Sequence, residues 1–360
     1  MNRMKFDIYY KQLVAGERRG LADRLLLLFL TICAFPYAAV MRLRAAAYKH
    51  GVLTVRRLPF PVISVGNLTV GGTGKTPTVL LLARALMDRG KRVAVLTRGY
   101  GGSLEGETRI VSDGQTLFLT PDEAGDEPLL LATALPGLMV VMGSDRYRAG
   151  VLALNKLAPD CCILDDGFQH QRLARDLDIL LLDQSTPFGN GLTLPAGLLR
   201  EPPSAAGRAN LVILTRCSGD TARNDFLPQN IPVCRSSHTL IGFTACFGGD
   251  VRPFSDLAGR RVVAFCGIAD PMAFFDGVEA CGIRLLSTLA FPDHTGYGVK
   301  EMAALGTLKQ RFRADCMITT AKDAVKLRPY AGIIGDCFVA QLELTLHDSE
   351  PLFTALNRAV

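Results

Sequence analysis

Residues 61–77 read PVISVGNLTVGGTGKTP, an apolar run of strand character that opens into a glycine-rich loop and ends in Lys75-Thr76. That is the layout of a phosphate cradle. Glycines let successive backbone N–H groups turn onto phosphate oxygens, the lysine reaches the β- and γ-phosphates, the threonine hydroxyl holds Mg2+, and the following helix aims its positive end at the anion. Thr69, Val70, Gly71, Gly72, Thr73, Gly74, Lys75 and Thr76 are the expected nucleotide-binding residues, with ATP or GTP as ligand. The common pattern has glycine five positions before its last one; here Thr69 stands there, and Gly71-Gly72 lie inside the loop.

Downstream of the cradle, apolar strand-like runs at 93–97, 138–142, 161–164, 179–183 and 211–214 alternate with helical stretches. This alternation predicts a P-loop-type α/β fold, a parallel sheet flanked by helices on both faces. Between 218 and 253 the pattern weakens into short polar pieces rich in turn residues, and it resumes with runs at 262–266, 285–291, 316–320 and 337–342. The expected organisation is an N-terminal basic and hydrophobic segment (1–57), a P-loop core (58–217), a linker or ribbon (218–253) and a smaller α/β lobe (254–360). At 360 residues the chain is long enough to bury a core in each of two domains.

Charge is unevenly spread. The net charge is +6, yet residues 1–60 hold eleven of the 40 Lys/Arg and only three of the 34 Asp/Glu, so the remainder is slightly acidic. The basic surplus surrounds residues 25–41, LLLLFLTICAFPYAAVM, which carry no charge and are flanked by Arg18, Arg19 and Arg24 before and Arg42, Arg44 and Lys49 after. A helix of that length reaches about 25 Å, short for a bilayer, and Pro36 is expected to kink it. Arginines at both ends specify no inside, and a signal peptide fits the long charged lead-in poorly. An interfacial helix, apolar side in the acyl region and arginines on anionic headgroups, is the preferred reading; a spanning helix and a buried core helix stay open. Nucleic acid is not expected, because no aromatic residues are interleaved with the arginines to stack bases. The ten cysteines show no CxxC spacing and sit largely in apolar runs, as small core residues do in a reducing compartment.

Several polar clusters fall at strand ends, the edge of an open α/β sheet where ligands bind. Asp165 and Asp166 close the apolar run CCIL, where carboxylates hold Mg2+ together with Thr76; an ordinary Asp-Asp-Gly turn is the alternative. Gln169 and His170 follow in an unusually polar loop and are expected to line the site. Arg98 and Tyr100, Arg146, and Arg200 occupy other such clusters, and the guanidinium forks of Arg146 and Arg200 suit phosphate oxygens. Asp126, in GDEP, reads first as an acid at a helix start, and His294, in FPDHTGY, as a loop histidine beside an aspartate.

Taken together, TVGGTGKTP, LTRGYGG, GDEP, GSDR, LDDGFQH, LPAGLLREP, FPDHTGY and TTAKDAVKL resemble the tetraacyldisaccharide 4'-kinase family, the lipid A 4'-kinases of Gram-negative bacteria. The resemblance covers essentially the whole chain in order. It implies transfer of the ATP γ-phosphate, with Mg2+, to the 4'-hydroxyl of a lipid A disaccharide 1-phosphate precursor. It also implies a place on the cytoplasmic face of the inner membrane, peripheral or monotopic through the N-terminal helix, with no obligate protein partner. It makes Asp126 the base for the sugar hydroxyl and His294 the residue that orients it, with Lys75 and Arg146 as cations at the transferring group. The family usually has an acid before the Lys-Asp of TTxKDAVKL, and Ala321 stands there in this chain.

The rival from another class is a membrane-recruited ATPase switch of the partitioning type, which the loop spacing also resembles. Such proteins typically carry a second lysine where this chain has Thr69, and their membrane helix is usually C-terminal. A GTP switch is disfavoured because Ala321-Lys322-Asp323-Ala324 does not complete the guanine signature. A soluble metabolite kinase has no use for residues 25–41.

Overall fold

The cradle strand β1 (Val62–Asn67) is buried along its whole length, as an apolar run with no polar face requires. It lies in the middle of a computed structural model that describes residues 3–217 and 225–360. The other strands are β2 (Val93–Thr97), β3 (Arg109–Asp113), β4 (Met139–Met142), β5 (Cys161–Asp165), β6 (Leu177–Asp183), β7 (Leu211–Thr215), β8 (Val233–Ala245), β9 (Val262–Cys266), β10 (Leu285–Ala290), β11 (Cys316–Thr319) and β12 (Cys337–Leu346). Among the described residues they form one sheet in the order β10-β9-β11-β12-β8-β7-β6-β1-β5-β2-β4-β3. From β8 to β4 neighbouring strands are parallel, and β3 closes the edge antiparallel to β4.

The helices are α1 (Arg3–Val14), α2 (Leu21–Lys49), α3 (Lys75–Met87), α4 (Pro121–Ala124), α5 (Asp126–Ala134), α6 (Arg146–Leu157), α7 (Pro271–Ala280), α8 (Val299–Arg311), α9 (Ala321–Leu327), α10 (Ala331–Ile334) and α11 (Glu350–Ala359). Alternate residues of the core strands face opposite layers. Ile63, Val65, Val95 and Ile163 pack with α3 and α5, whereas Val62, Leu96, Cys162 and Leu164 pack with α6.

The stretch expected as a linker or ribbon contains β8, which joins the two halves. Its first residues run parallel to β7, Val212 opposite Val233, and from Ser236 onward it runs antiparallel to β12. The C-terminal half then builds its own parallel strands β10-β9-β11-β12, with cores centred on Phe243 and Phe265.

The apolar segment is longer than its uncharged run: α2 has 29 residues, about 43 Å, and continues through Pro36. Only 6% of its most apolar window is buried, so the buried-core placement does not hold. Leu21, Leu25, Leu28, Ile32, Phe35 and Leu43 form an exposed stripe at helical spacing. The opposite face docks on the core, where Ala34 is buried, Thr193 donates to the Ala34 carbonyl at 3.3 Å and the Tyr37 hydroxyl donates to the Arg200 carbonyl at 3.0 Å.

Candidate active site

Gly74 caps α3 in a left-handed conformation, φ 84°, and a Cβ there would lie 2.6 Å from the His238 ring, so glycine is required both by backbone and by space. Around the loop, Lys75 Nζ lies 3.4 Å from Asn67 Oδ1 and 3.7 Å from Asp166 Oδ1, and Arg216 donates to the Gly72 carbonyl at 3.1 Å. Thr69 and Val70 are braced against a second loop: Thr69 bridges Leu199, and the Val70 amide donates to the Leu198 carbonyl at 2.8 Å.

The two carboxylates after β5 are handled differently. Asp165 is 4% exposed and accepts from the Thr97 hydroxyl at 3.1 Å. Burial, with Glu127 and Asp166 nearby, pushes its carboxyl up to about 6, against the pull of Lys75 and Arg146. Asp166 turns out of the strand at φ 52° and pairs with Arg200 at 2.7 Å; burial raises its pKa, and Lys75 and Arg200 more than reverse that. Gln169 sits beneath, donating to the Asn67 carbonyl at 2.9 Å and accepting from Arg200 at 3.3 Å.

Arg146, 3% exposed, donates to the Gly143 carbonyl and lies 3.4 Å from the Asp165 carbonyl. Burial lowers its pKa to about 10, which leaves it charged at neutral pH. Arg98 is exposed and faces Glu105 at 3.4 Å.

Thr73 Oγ1, Asp166 Oδ1 and Arg146 Nε are buried without hydrogen-bond partners. A hydroxyl, a carboxylate oxygen and a guanidinium N–H left open around one loop fit a magnesium nucleotide. Among the described residues no trio of His, Cys, Asp and Glu converges.

The second cluster crosses between the two halves of the sheet. Asp126 opens α5 after Gly125, where a Cβ would meet the Tyr100 carbonyl at 2.4 Å; this close approach sets the Tyr100 loop beside it. His294, at φ 59°, places Nδ1 3.1 Å from Asp126 Oδ1, and Tyr100 meets the imidazole edge-on at 5.4 Å between ring centroids.

Lys326 donates to Asp126 Oδ2 at 3.4 Å; Lys322 lies 3.9 Å from the same oxygen, 3.0 Å from Asp293 Oδ1 and 3.3 Å from His294 Nε2. Burial acts to raise the Asp126 pKa, but His294, Lys322 and Lys326 outweigh it and hold the carboxyl at about 2. The same hydrogen bond raises His294 above its ordinary value, against burial and Lys322.

Lys322, Lys326, Glu127 and Asp323 were not singled out from the sequence as site residues. The available signal was the spacing in KDAVK, which sets two lysines one turn apart on a single face of α9. Asp323 anchors that helix to the His294 loop: it is fully buried and accepts from the Tyr297 hydroxyl at 2.9 Å, the Gly267 amide at 3.1 Å and the Thr320 hydroxyl at 2.7 Å.

A P-loop cradle and a carboxylate held by an imidazole and two ammonium groups, carried on one sheet, define a phosphotransferase of the P-loop class. Residues 26–360 match the tetraacyldisaccharide-1-P 4'-kinase family, LpxK. The chain is 57% identical to the tetraacyldisaccharide 4'-kinase of Geobacter metallireducens, over 94% of this chain and 99% of that one. It is 53% identical to the Geobacter sulfurreducens enzyme of the same name, over 98% and 99%. A crystal structure of LpxK from Aquifex aeolicus in complex with ATP superposes with a TM-score of 0.79 at 36% identity, covering 93% of this chain and 99% of that chain. The protein belongs to the tetraacyldisaccharide-1-P 4'-kinase family.

Proposed function

We propose that the protein transfers the γ-phosphoryl group of ATP to the 4'-hydroxyl of a tetraacyldisaccharide 1-phosphate, a step of lipid A biosynthesis, with Asp126 as proton acceptor. The observation that carries this reading is the 3.1 Å contact between Asp126 and His294, which unites two motifs 168 residues apart; the next residue, Glu127, lies near enough to Asp165 to help raise its pKa. A nucleotide switch has no need of a proton acceptor from one lobe oriented by a histidine from the other.

Thr76, Asp165 and Asp166 would hold Mg2+, which would supply charge neutralisation at the transferring phosphate. Lys75 and Arg146 hold the phosphoryl oxygens. Asp126 accepts the hydroxyl proton as the new O–P bond forms and ADP departs. A carboxylate with a pKa of about 2 is a weak base, but it is always ionised. In a loose phosphoryl-transfer transition state positioning and electrostatics dominate, so this suffices. His294 fixes the carboxylate from Oδ1, while Lys326 and Lys322 approach Oδ2 and carry the local charge balance.

The exposed stripe of α2 lies in the interface of the cytoplasmic leaflet, with its docked face holding the catalytic loops against the bilayer.

The test is transfer itself. Purified protein in mild detergent, given Mg-ATP and tetraacyldisaccharide 1-phosphate, is expected to add one phosphate to the lipid, read by mass spectrometry. Asp126→Asn keeps volume and removes the base, and kcat is expected to fall by about 10²–10⁴-fold. ATP hydrolysis with unchanged lipid would instead select the switch.

A further inference from the structure

Between the N-terminal helices and the phosphate cradle runs one short stretch of chain, residues 190–200 (NGLTLPAGLLR), and it is bonded on both sides. Toward the cradle, the Val70 amide donates to the Leu198 carbonyl at 2.8 Å, Leu199 bridges Thr69, and the Arg200 amide donates to the Leu68 carbonyl at 2.7 Å. The last residue of the stretch also reaches the carboxylate edge, where the Arg200 guanidinium donates to Asp166 Oδ2 at 2.7 Å and to Gln169 Oε1 at 3.3 Å. With Oδ2 engaged, Asp166 Oδ1 is the oxygen left without a hydrogen bond, on the side of Lys75.

On its other side the stretch is held by α1 and α2. The Tyr10 hydroxyl, from α1, donates to the Pro195 and Gly197 carbonyls, each at 3.0 Å, and the Tyr37 hydroxyl, from α2, donates to the Arg200 carbonyl at 3.0 Å. Asn190 answers from the stretch itself, donating to the Val14 carbonyl at the end of α1 at 3.1 Å and to its own Ala196 carbonyl at 2.8 Å. Internal backbone bonds tie the turn together: the Gly197 amide donates to the Thr193 carbonyl at 3.1 Å and the Leu194 amide to the Leu199 carbonyl at 2.9 Å. A shift at 195–197 is therefore passed on to 198–200 rather than absorbed between them. Both phenols are half-buried, and burial raises the pKa of each, so they stay protonated donors.

The place of these bonds matters more than their number. Helices that only needed to dock could bond any part of the core surface, yet the tyrosine acceptors at 195, 197 and 200 bracket Leu198 and Leu199, the two residues that touch Val70 and Thr69. We propose that Tyr10 and Tyr37 are positioning residues for the magnesium nucleotide, holding residues 195–200 against the cradle so that its Thr69–Val70 wall and the Arg200–Asp166 pair are set before ATP binds. The proposal rests on the function given above. The residues matched to the family begin at 26, so Tyr10 contributes to the site from outside that span. A wall ordered in advance need not be ordered at the cost of binding free energy, and the loss of its ties is felt as nucleotide affinity.

The experiment uses the full chain in mild detergent and compares wild type with Tyr10→Phe/Tyr37→Phe, which keeps both rings and removes only the hydroxyls. Titration calorimetry gives the Kd for Mg-ATP, and transfer assays give KM for ATP and for the lipid. In the double variant Kd and KM for ATP are expected to rise about three- to thirtyfold, with KM for lipid within about twofold of wild type. Tyr48→Phe is the control: it removes a hydroxyl of α2 that accepts from Arg172 at 3.3 Å instead of bonding the stretch, and it is expected to leave the Kd for Mg-ATP unchanged. If the double variant does not fold, the two single variants carry the same comparison.

A Kd for Mg-ATP that stays within twofold of wild type, even with a lowered Tm, would mean that the hydroxyls merely anchor the helices, and the proposal fails. Equal weakening by Tyr48→Phe would trace the effect to a general loosening of α2 and overturn it as well. Wild type that binds Mg-ATP but transfers nothing to the lipid would remove the kinase reading, while the affinity comparison still decides the role of the tyrosines.

Discussion

Asp165 and Asp166 are neighbours in sequence and opposites in the fold. Asp166 is ionised by Lys75 and Arg200, while burial holds the Asp165 carboxyl up at about 6. A raised folded-state pKa means that ionised Asp165 destabilises the nucleotide-free fold above about pH 6, and that the cost is relieved as pH falls toward the unfolded value. Asp165→Asn is therefore expected to raise the Tm of the nucleotide-free protein by a few degrees while Mg-dependent transfer collapses. An unchanged or lower Tm would show that the Thr97 hydrogen bond outweighs the buried charge. His294 has the opposite sign of linkage: raised above its unfolded value, it contributes stability that is full below about pH 6.5 and is lost as pH rises through its folded pKa. Asp126, lowered to about 2, contributes throughout the range above 3.8. The Tm gap between wild type and His294→Gln should thus be widest near about pH 6 and narrow by about pH 9; a gap constant with pH would reduce the histidine to packing. The cradle and the Asp-Asp pair were legible because each is a local motif after an apolar run. The two lysines over Asp126 were not, because their role depends on contacts spanning about two hundred residues of chain.

At the level of elements, α2 shows how much composition reveals and where it stops. The apolar run and its flanking arginines marked the helix, but the stripe of exposed residues and the docked face emerge only once Ala34 and Tyr37 meet the loop at 193–200. If the stripe lies in the membrane interface, Leu28→Asp with Phe35→Asp should release the protein from vesicles and leave transfer in detergent micelles within about threefold of wild type. Retained vesicle binding would shift the anchoring to the arginines alone. The region 218–253 was harder to read. A strand that is parallel to one neighbour and antiparallel to the next, with mixed burial along its length, carries neither the continuous apolar run of a core strand nor a clean alternation. The edge strand β3 escaped notice for a related reason, since its five residues include only two apolar ones.

Across the whole molecule, one sheet carries two halves, each with its own cores, and the proposed proton acceptor lies where they meet. Asp126 belongs to the P-loop half, whereas His294, Lys322 and Lys326 belong to the other, and α5 packs directly on α9 at the junction. Both ends of the Asp126–Lys326 pair are shielded, with side chains 4% and 10% exposed, so removing either partner weakens the charge balance of the other, leaving Asp126 with His294 and Lys322 and leaving Lys326 with Asp323 at 3.7 Å. The energetic consequence is non-additivity between halves. In thermal unfolding, Asp126→Asn and Lys326→Met are each expected to destabilise, and the double variant to lose less than the sum, with a coupling of about 0.5–3 kcal/mol. The same cycle on kcat should be still less additive, because Lys326 acts on transfer only through Asp126. Strict additivity in both measurements would mean that the halves dock without sharing this charge, and the proton acceptor would then have to be completed by some other movement of the C-terminal half.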